Sequence, residues 1–200
     1  MKQLILARHG EAESNTAGTV SGIPPGAALT AAGRAQAQAL GAALDGHPVD
    51  VGVASEFIRT QETLAIALTG RRAEHVVLPE LNEIRFGAFD GGSLEAYRDW
   101  AWTEEPDVRP PGEGESRSEV AERVADALDL LLDRDERVIL VVSHALPVRY
   151  ILDAADGTFP AARIEHVDHA RLYPLDAAGS ERAAETLRVW AAAPSFRDYA

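Results

Sequence analysis

The chain has 200 residues, is 46% hydrophobic, carries a formal charge of −13 and contains no cysteine. That length and apolar fraction suit a single domain over residues 1–200 with a full core. The missing thiols exclude a disulfide scaffold, a cysteine zinc site and a thiol nucleophile. The acidic balance argues against nucleic acid and anionic membranes as partners, whereas a small anion can still respond to the field of a local cleft. Nothing repeats at a fixed period, which argues against a solenoid or propeller. The opening MKQLILARHG is too short and too quickly charged for a signal peptide. The longest clearly apolar stretch, Val138–Val142, has the length of a strand and not of a membrane span. A cytoplasmic location is therefore expected.

In chain order, Leu4–Ala7 reads as a central strand, apolar on both faces. Residues 10–28 form a glycine- and proline-bearing loop long enough to be functional. Thr30 is placed to cap an alanine-rich helix ending near Gly46. VDVGVAS, residues 49–55, is a second strand, after which Ser55 is expected to cap a helix running to about Thr69. HVVLPEL, residues 75–81, is a short strand leading into an irregular segment, 82–116, read as a lid. Ser116 and Glu119 form a capping box opening the clearest helix, striped by Val120, Val124, Leu128, Leu131 and Leu132. RVILVVS, residues 137–143, is another buried strand, followed by a helix near Pro147–Asp153. The tail offers strands at 163–167, 170–175 and 186–191.

Strands alternating with helices predict an α/β fold: a three-layer sandwich whose mixed, mostly parallel sheet has helices on both faces. Ligands of such sheets sit beyond the carboxyl ends of the strands. Three strands end there in Arg8-His9, in Ser55 with Arg59 one turn on, and in Ser143-His144. Metal binding fits these residues poorly, since the two histidines lack a carboxylate at ligand spacing and no HExxH helix exists. A Walker A loop and a Gly-x-Ser-x-Gly elbow are absent too. Phosphoryl transfer to an imidazole fits better. A neutral histidine is nucleophilic at pH 7, and flanking arginines disfavour its protonation while neutralising phosphoryl oxygens. Gly10 allows close backbone approach just after the strand. A leaving alkoxide needs a proton, and of Glu80, Glu83 and Asp90 the candidate is Glu83, flanked by apolar residues at the head of a loop.

These residues resemble the histidine phosphatase superfamily, which includes the cofactor-dependent phosphoglycerate mutases. ALTAAGRAQAQAL is similar to that family's Leu-Thr-x-x-Gly-x-x-Gln-Ala helix start, and PGEGES to its Gly-Glu-Ser turn. The matches span roughly residues 4–150 in the family's order. The resemblance implies that His9 is a phosphohistidine nucleophile, with Arg8, Arg59 and His144 as the phosphate clamp. It implies that Glu83 donates a proton and then activates water. Asn15, Ser21 and Gly22 fall where the family has further phosphate or substrate contacts, and Ala145 offers a backbone N–H where a glycine is usual. Leu146 in the next place is expected to narrow the pocket. Glu56 stands for the usual proline after Ser55. Ile84 and Phe86 replace an arginine and a tyrosine of the mutases, and the lid lacks evident extra basic residues for a bisphosphate. These departures favour a phosphatase over a mutase.

The expected activity is metal-independent and cofactor-free hydrolysis of a small phosphorylated metabolite through a phosphohistidine. Mutase-type transfer and a non-catalytic phospho-ligand module are the alternatives, and association into a homodimer stays open. Glu165-His166-x-Asp168-His169 reads as an exposed strand edge. Trp100 and Trp102 either line the pocket mouth or pack the segment down, Arg98 and Arg109 either reach substrate or are solvated, and Arg71-Arg72 is an exposed turn.

Overall fold

Each parallel strand of the sheet is followed by a helix that returns the chain to the same edge, which is what a parallel neighbour requires. The computed structural model describes residues 2–197. Its elements are β1 (Gln3–Arg8), α1 (Glu13–Thr16), α2 (Ala31–Ala43), β2 (Val51–Ala54), α3 (Ile58–Ala67) and β3 (Glu74–Val77). Then come α4 (Leu94–Ala101), α5 (Arg117–Leu132), β4 (Val138–Ser143), α6 (Ala145–Ala155), β5 (Tyr173–Asp176) and α7 (Ala177–Ala192). The sheet order is β3-β2-β4-β1-β5, with only β5 antiparallel to its neighbour.

The strands are apolar on both faces because both are covered. Leu4 and Leu6 of β1, Val51 and Val53 of β2, and Ile139 and Val141 of β4 pack on one side against α5, α6 and α7. Ile5, Ala7, Ala54, Leu140 and Val142 face the other way, against Leu40 of α2 and Leu64 of α3. The expected three-layer architecture is the observed one. Truncating one of these buried leucines to alanine costs about 2–5 kcal/mol.

Register carries the functional consequence. Arg8 lies opposite Ser143, and Ala54 opposite Val142, so β1, β2 and β4 end together. Arg8-His9, Ser55 and Ser143-His144 therefore meet at one sheet edge.

Two helix starts follow the sequence closely. Thr30 Oγ1 accepts from the Gly33 amide at 3.0 Å. Ser116 and Glu119 form the reciprocal box, at 3.2 and 2.9 Å. Elsewhere the structure corrects the expectations. Residues 186–191 belong to α7, where Ala183, Ala184, Leu187 and Trp190 are buried at helical spacing. Residues 163–167 form no strand, and the 170–175 expectation shrinks and shifts to β5, an edge strand that tolerates Pro174. The 75–81 strand ends at Val77 because Pro79 starts a 3-10 turn. Segment 82–116 is not wholly irregular: Ser93 caps the amphipathic α4. Ser55 does not cap α3, whose N-cap is Phe57; its hydroxyl is committed to the site below. No described helix is long and apolar enough to cross a membrane.

Candidate active site

β1 hands its last apolar residue to Arg8 and His9, and the chain then turns at Gly10. A Cβ on Gly10 would sit 2.4 Å from the Gly33 carbonyl oxygen, so the first turn of α2 packs directly on this corner. His9 is buried. Its Nδ1 lies 2.6 Å from the Gly10 carbonyl, which can only accept, so Nδ1 carries the proton. Nε2 is then the lone-pair nitrogen, and Arg59 Nε donates to it at 3.2 Å. The imidazole is thus held neutral with its nucleophilic nitrogen facing a guanidinium.

His144 is placed by the end of β4, with its ring centroid 5.3 Å from that of His9. Arg59 Nη2 donates to its Nδ1 at 3.1 Å, so the other nitrogen is the protonated one and donates to Ser55 Oγ at 2.9 Å. Ser55 Oγ also bonds Thr60 Oγ1 at 2.8 Å. Arg59 spans the whole arrangement: Nη2 donates to the Ser21 carbonyl at 3.0 Å, Nη1 to Ser21 Oγ at 3.4 Å, and Cζ lies 4.3 Å from the centre of the Phe57 ring. Arg8 Nη1 donates to the Val167 carbonyl at 2.9 Å, while its buried Nε has no partner. Among the described residues neither arginine has a carboxylate within 4.0 Å. Two largely buried cations without a counter-charge are costly unless an anion joins them. Such a pair of guanidinium groups suits an anion, phosphate among them.

The titration behaviour follows from burial. Desolvation, reinforced by Arg59 and Arg8, pushes His9 well below the ordinary imidazole range. Desolvation and Arg59 do the same to His144. Burial brings Arg59 down to about 10, so it stays charged at neutral pH. Glu83 moves the other way: desolvation raises it against the opposing pull of Arg59. Its side chain is 15% exposed, Oε2 lies 3.9 Å from His144 Nδ1, and Oε1 accepts from the Ile84 amide at 3.1 Å. A carboxyl biased toward its protonated form thus stands beside the histidine pair.

The remaining predicted residues divide. Ser21 and Ala145 line the same cavity, and Ala145 opens α6, so its amide belongs to the unpaired first turn. Asn15 lines the cavity, but its Oδ1 accepts from the Ala12 amide at 2.9 Å as a local cap. Gly22 is turned aside: its amide donates to Asp90 Oδ1 at 2.6 Å. Leu146 does line the pocket. Arg109 is tied to Glu119 and does not line the cavity, whereas Arg98 does. Trp100 packs against Phe89 and Tyr97 while Trp102 reaches the cavity wall.

Sequence reasoning missed His169. The Glu165–His169 stretch is not a strand edge; it wraps over the end of β1. His169 Nδ1 donates to the His9 carbonyl at 2.7 Å, and the Ala170 amide donates to the Arg8 carbonyl at 2.8 Å. Ala170 adopts φ +52°, a left-handed conformation that alanine pays for. A topological signal existed. An antiparallel edge strand beside β1 must be entered from beyond the carboxyl end of β1, where the site lies.

Together these groups floor a cavity of about 440 Å³. Among the described residues no cluster of three or more His, Asp or Glu is placed to hold a metal ion. The arrangement offers a neutral imidazole with an available lone pair, two guanidinium groups for an anion and a carboxyl whose pKa burial raises. Comparison with known proteins points the same way. The chain is 35% identical to the adenosylcobalamin/alpha-ribazole phosphatase of Salmonella typhimurium over 82% of its own length and 84% of that protein. It is 36% identical to the 2,3-bisphosphoglycerate-dependent phosphoglycerate mutase of Methylobacterium radiotolerans, over 77% and 79% respectively. The crystal structure of alpha-ribazole phosphatase from Shigella flexneri superposes with a TM-score of 0.74 at 30% identity, covering 87% of this chain and 90% of that one. The profile of the histidine phosphatase superfamily (branch 1) matches residues 4–189, and the chain belongs to that superfamily.

Proposed function

We propose that the protein is a metal-independent phosphatase that hydrolyses a small phosphomonoester through a phosphohistidine at His9. The observation that carries this reading is the pairing of a neutral His9 Nε2 with Arg59 Nε at 3.2 Å, in a site whose arginines lack a carboxylate partner. When a phosphoryl group enters, Arg59 and Arg8 turn their donors onto its oxygens. Nε2 attacks phosphorus as the bond to the ester oxygen breaks, and Glu83 gives its proton to that oxygen, releasing the alcohol. The proton stays on Nδ1, hydrogen-bonded to the Gly10 carbonyl, which supports the positive ring while Nε2 carries phosphate. Glu83, now a carboxylate, takes a proton from water as the water oxygen attacks phosphorus. The N–P bond breaks, its electron pair returns to Nε2, and inorganic phosphate leaves.

His144 enters as an acceptor toward Arg59, and a proton gained at Nδ1 would make it a further donor to the dianion. Ser21 orients Arg59, and the Ala145 amide adds a neutral donor at the helix start. The cytoplasm and a small phosphorylated metabolite fit this reading. The similar proteins include both phosphatases and a mutase, which share the first half-reaction. Water as acceptor is favoured because, of three further cavity-lining arginines, two are already engaged, Arg117 on Tyr150 and the Ala161 carbonyl and Arg163 on the face of Trp102, which leaves Arg98 alone for a second acidic group. Hydrolysis of p-nitrophenyl phosphate in EDTA tests the reading. Turnover lost on His9→Ala is the expected result; no turnover by the unmodified protein would leave only the binding module. Return of label from a labelled phosphoenzyme to 3-phosphoglycerate would instead indicate the mutase.

A further inference from the structure

Glu83 is loosely held by its own side chain. Its Oε1 accepts from the neighbouring Ile84 amide at 3.1 Å, and Oε2 stands 3.9 Å from His144 Nδ1, beyond hydrogen-bond reach. Close packing does not enclose it either. Glu83 lines both the active-site cavity and a second hollow of about 440 Å³, which it shares with Glu56, Asn82, Glu115 and Arg123. The carboxyl therefore inherits its position from the backbone that carries it.

That backbone is gripped by side chains from three directions. Arg123 of α5 donates from Nη1 to the Glu80 carbonyl at 2.7 Å and to the Asn82 carbonyl at 2.9 Å. Between them the Leu81 carbonyl accepts from Ser143 Oγ, at the end of β4, at 2.8 Å. Asn82 is tied to Glu56, whose amide donates to Oδ1 at 2.9 Å and whose carboxylate accepts from Nδ2 at 2.7 Å. Arg123 turns its remaining donors on Glu115, with Nε and Nη2 each 2.8 Å from a carboxylate oxygen. Glu115 is buried, and its own amide donates to the Arg85 carbonyl at 2.9 Å. The Arg123–Glu115 pair thus holds the chain both before and after Glu83. A largely buried ion pair adds little net stability over apolar neighbours, whereas its planar fork fixes geometry on both sides.

We propose that Arg123, braced by Glu115, is a positioning residue that aims the Glu83 carboxyl at the ester oxygen. The inference rests on the phosphatase reading with Glu83 as its acid. Arg123 does not line the active-site cavity, so it acts through the backbone and touches no substrate. A guanidinium suits the task because its donors diverge in one plane; a compact lysine ammonium cannot span a carboxylate and two carbonyls. Charge is the lesser influence. Arg123 favours the carboxylate form of Glu83 less than Arg59 and Arg8 do, and His144 and Tyr97 are the other titratable groups around it.

The test compares two esters by kcat/KM, which reports the steps up to release of the alcohol. Arg123→Lys keeps a cation beside Glu115 but loses the fork. With glycerol 2-phosphate, whose alkoxide needs a proton, its kcat/KM should fall about ten- to a hundredfold, the scale for a displaced catalytic group. With p-nitrophenyl phosphate, whose leaving group needs none, the loss should stay below about threefold. Arg123→Met paired with Glu115→Gln leaves no lone buried charge and should show the same selective loss, with thermal melts confirming that both variants fold. The alkaline limb should stay in place in Arg123→Lys and move to higher pH in the pair, where a cation near Glu83 is gone. Added to Glu83→Gln, Arg123→Lys should cost nothing further. Equal losses on the two esters, a full further loss in the Glu83→Gln background, or unchanged kcat/KM in the folded variants overturns the positioning role. Glu83→Gln alone separates this claim from the one beneath it. Equal losses there sink Glu83 as the acid whatever Arg123 does, whereas a selective loss there with none in the Arg123 variants sinks the positioning alone.

Discussion

The floor of the cavity and its walls are built by different means. The floor comes from strand ends: β1 delivers Arg8 and His9, β4 delivers His144, and the turn after β2 delivers Ser55 with Arg59 close behind. Parallel pairing fixes these positions to one edge, so residues distant in sequence meet without any choice by loops. The walls come from 82–116 and 162–170, where short helices, 3-10 turns and side-chain contacts decide the path. A sheet edge fixes where chemistry can happen, and the loops around it decide what enters.

Substitutions should separate the two regions. The largest effect is expected at His9: His9→Ala removes the proposed nucleophile, and kcat should drop by at least about 10⁴-fold in a p-nitrophenyl phosphate assay. Glu83→Gln comes next, at about 10²–10⁴-fold with an alkyl phosphate and less with p-nitrophenyl phosphate, whose leaving group needs no proton. Equal losses on both esters would remove Glu83 as the acid.

His169 belongs to the wall segment but reaches the floor. His169→Leu deletes the donor to the His9 carbonyl and should lower kcat by about tenfold with KM little changed, the loss of one hydrogen bond's worth of positioning. His169→Asn, which keeps a donor, should recover part of it. A KM effect with unchanged kcat would contradict the positioning role.

The pH dependence has a definite sign. In the proposed mechanism His9 must be neutral, and its pKa is held well below 6.5, so the acid limb of kcat/KM should lie below the usual histidine value. The proposed first step needs Glu83 protonated, and its pKa is raised from 4.5, so the alkaline limb should lie above the usual carboxylate value and vanish in Glu83→Gln. Stability obeys the same shifts. Between their lowered folded values and 6.5, His9, His144 and His169 bind fewer protons folded than unfolded. Their contribution therefore makes the fold less stable as pH falls through 6.5, whereas Glu83 contributes stability that fades as pH rises above 4.5. In denaturant melts the stability of the unmodified protein relative to His9→Ala should therefore rise from pH 5.5 to pH 8.

The same division explains what could be read from the sequence. Apolar runs at Leu4–Ala7 and Val138–Val142 announce buried strands, and the polar residues that end them announce the floor. Thr30 and Ser116 mark helix starts because their side chains satisfy amides locally. The wall was harder. Thr186, Val189 and Trp190 favour a strand, yet the buried Leu187 and Trp190 sit at helical spacing, and the tertiary packing of α7 decides. Ser55 looked like a cap, but its hydroxyl is taken by His144 and Thr60. Asn15 and Gly22 stand where site contacts were expected, and each has a committed backbone or side-chain partner. His169 carries no local signal, since only the antiparallel placement of β5 brings it over β1.

The account depends on covalent chemistry at one nitrogen. Rapid quenching of the protein with p-nitrophenyl phosphate into alkali, followed by peptide mass spectrometry, tests it most directly. The prediction is a base-stable, acid-labile phosphoryl group on His9, formed and lost at rates that match turnover and absent from His9→Ala. Full turnover with no phosphoryl group on His9, or with one on another residue, would contradict it.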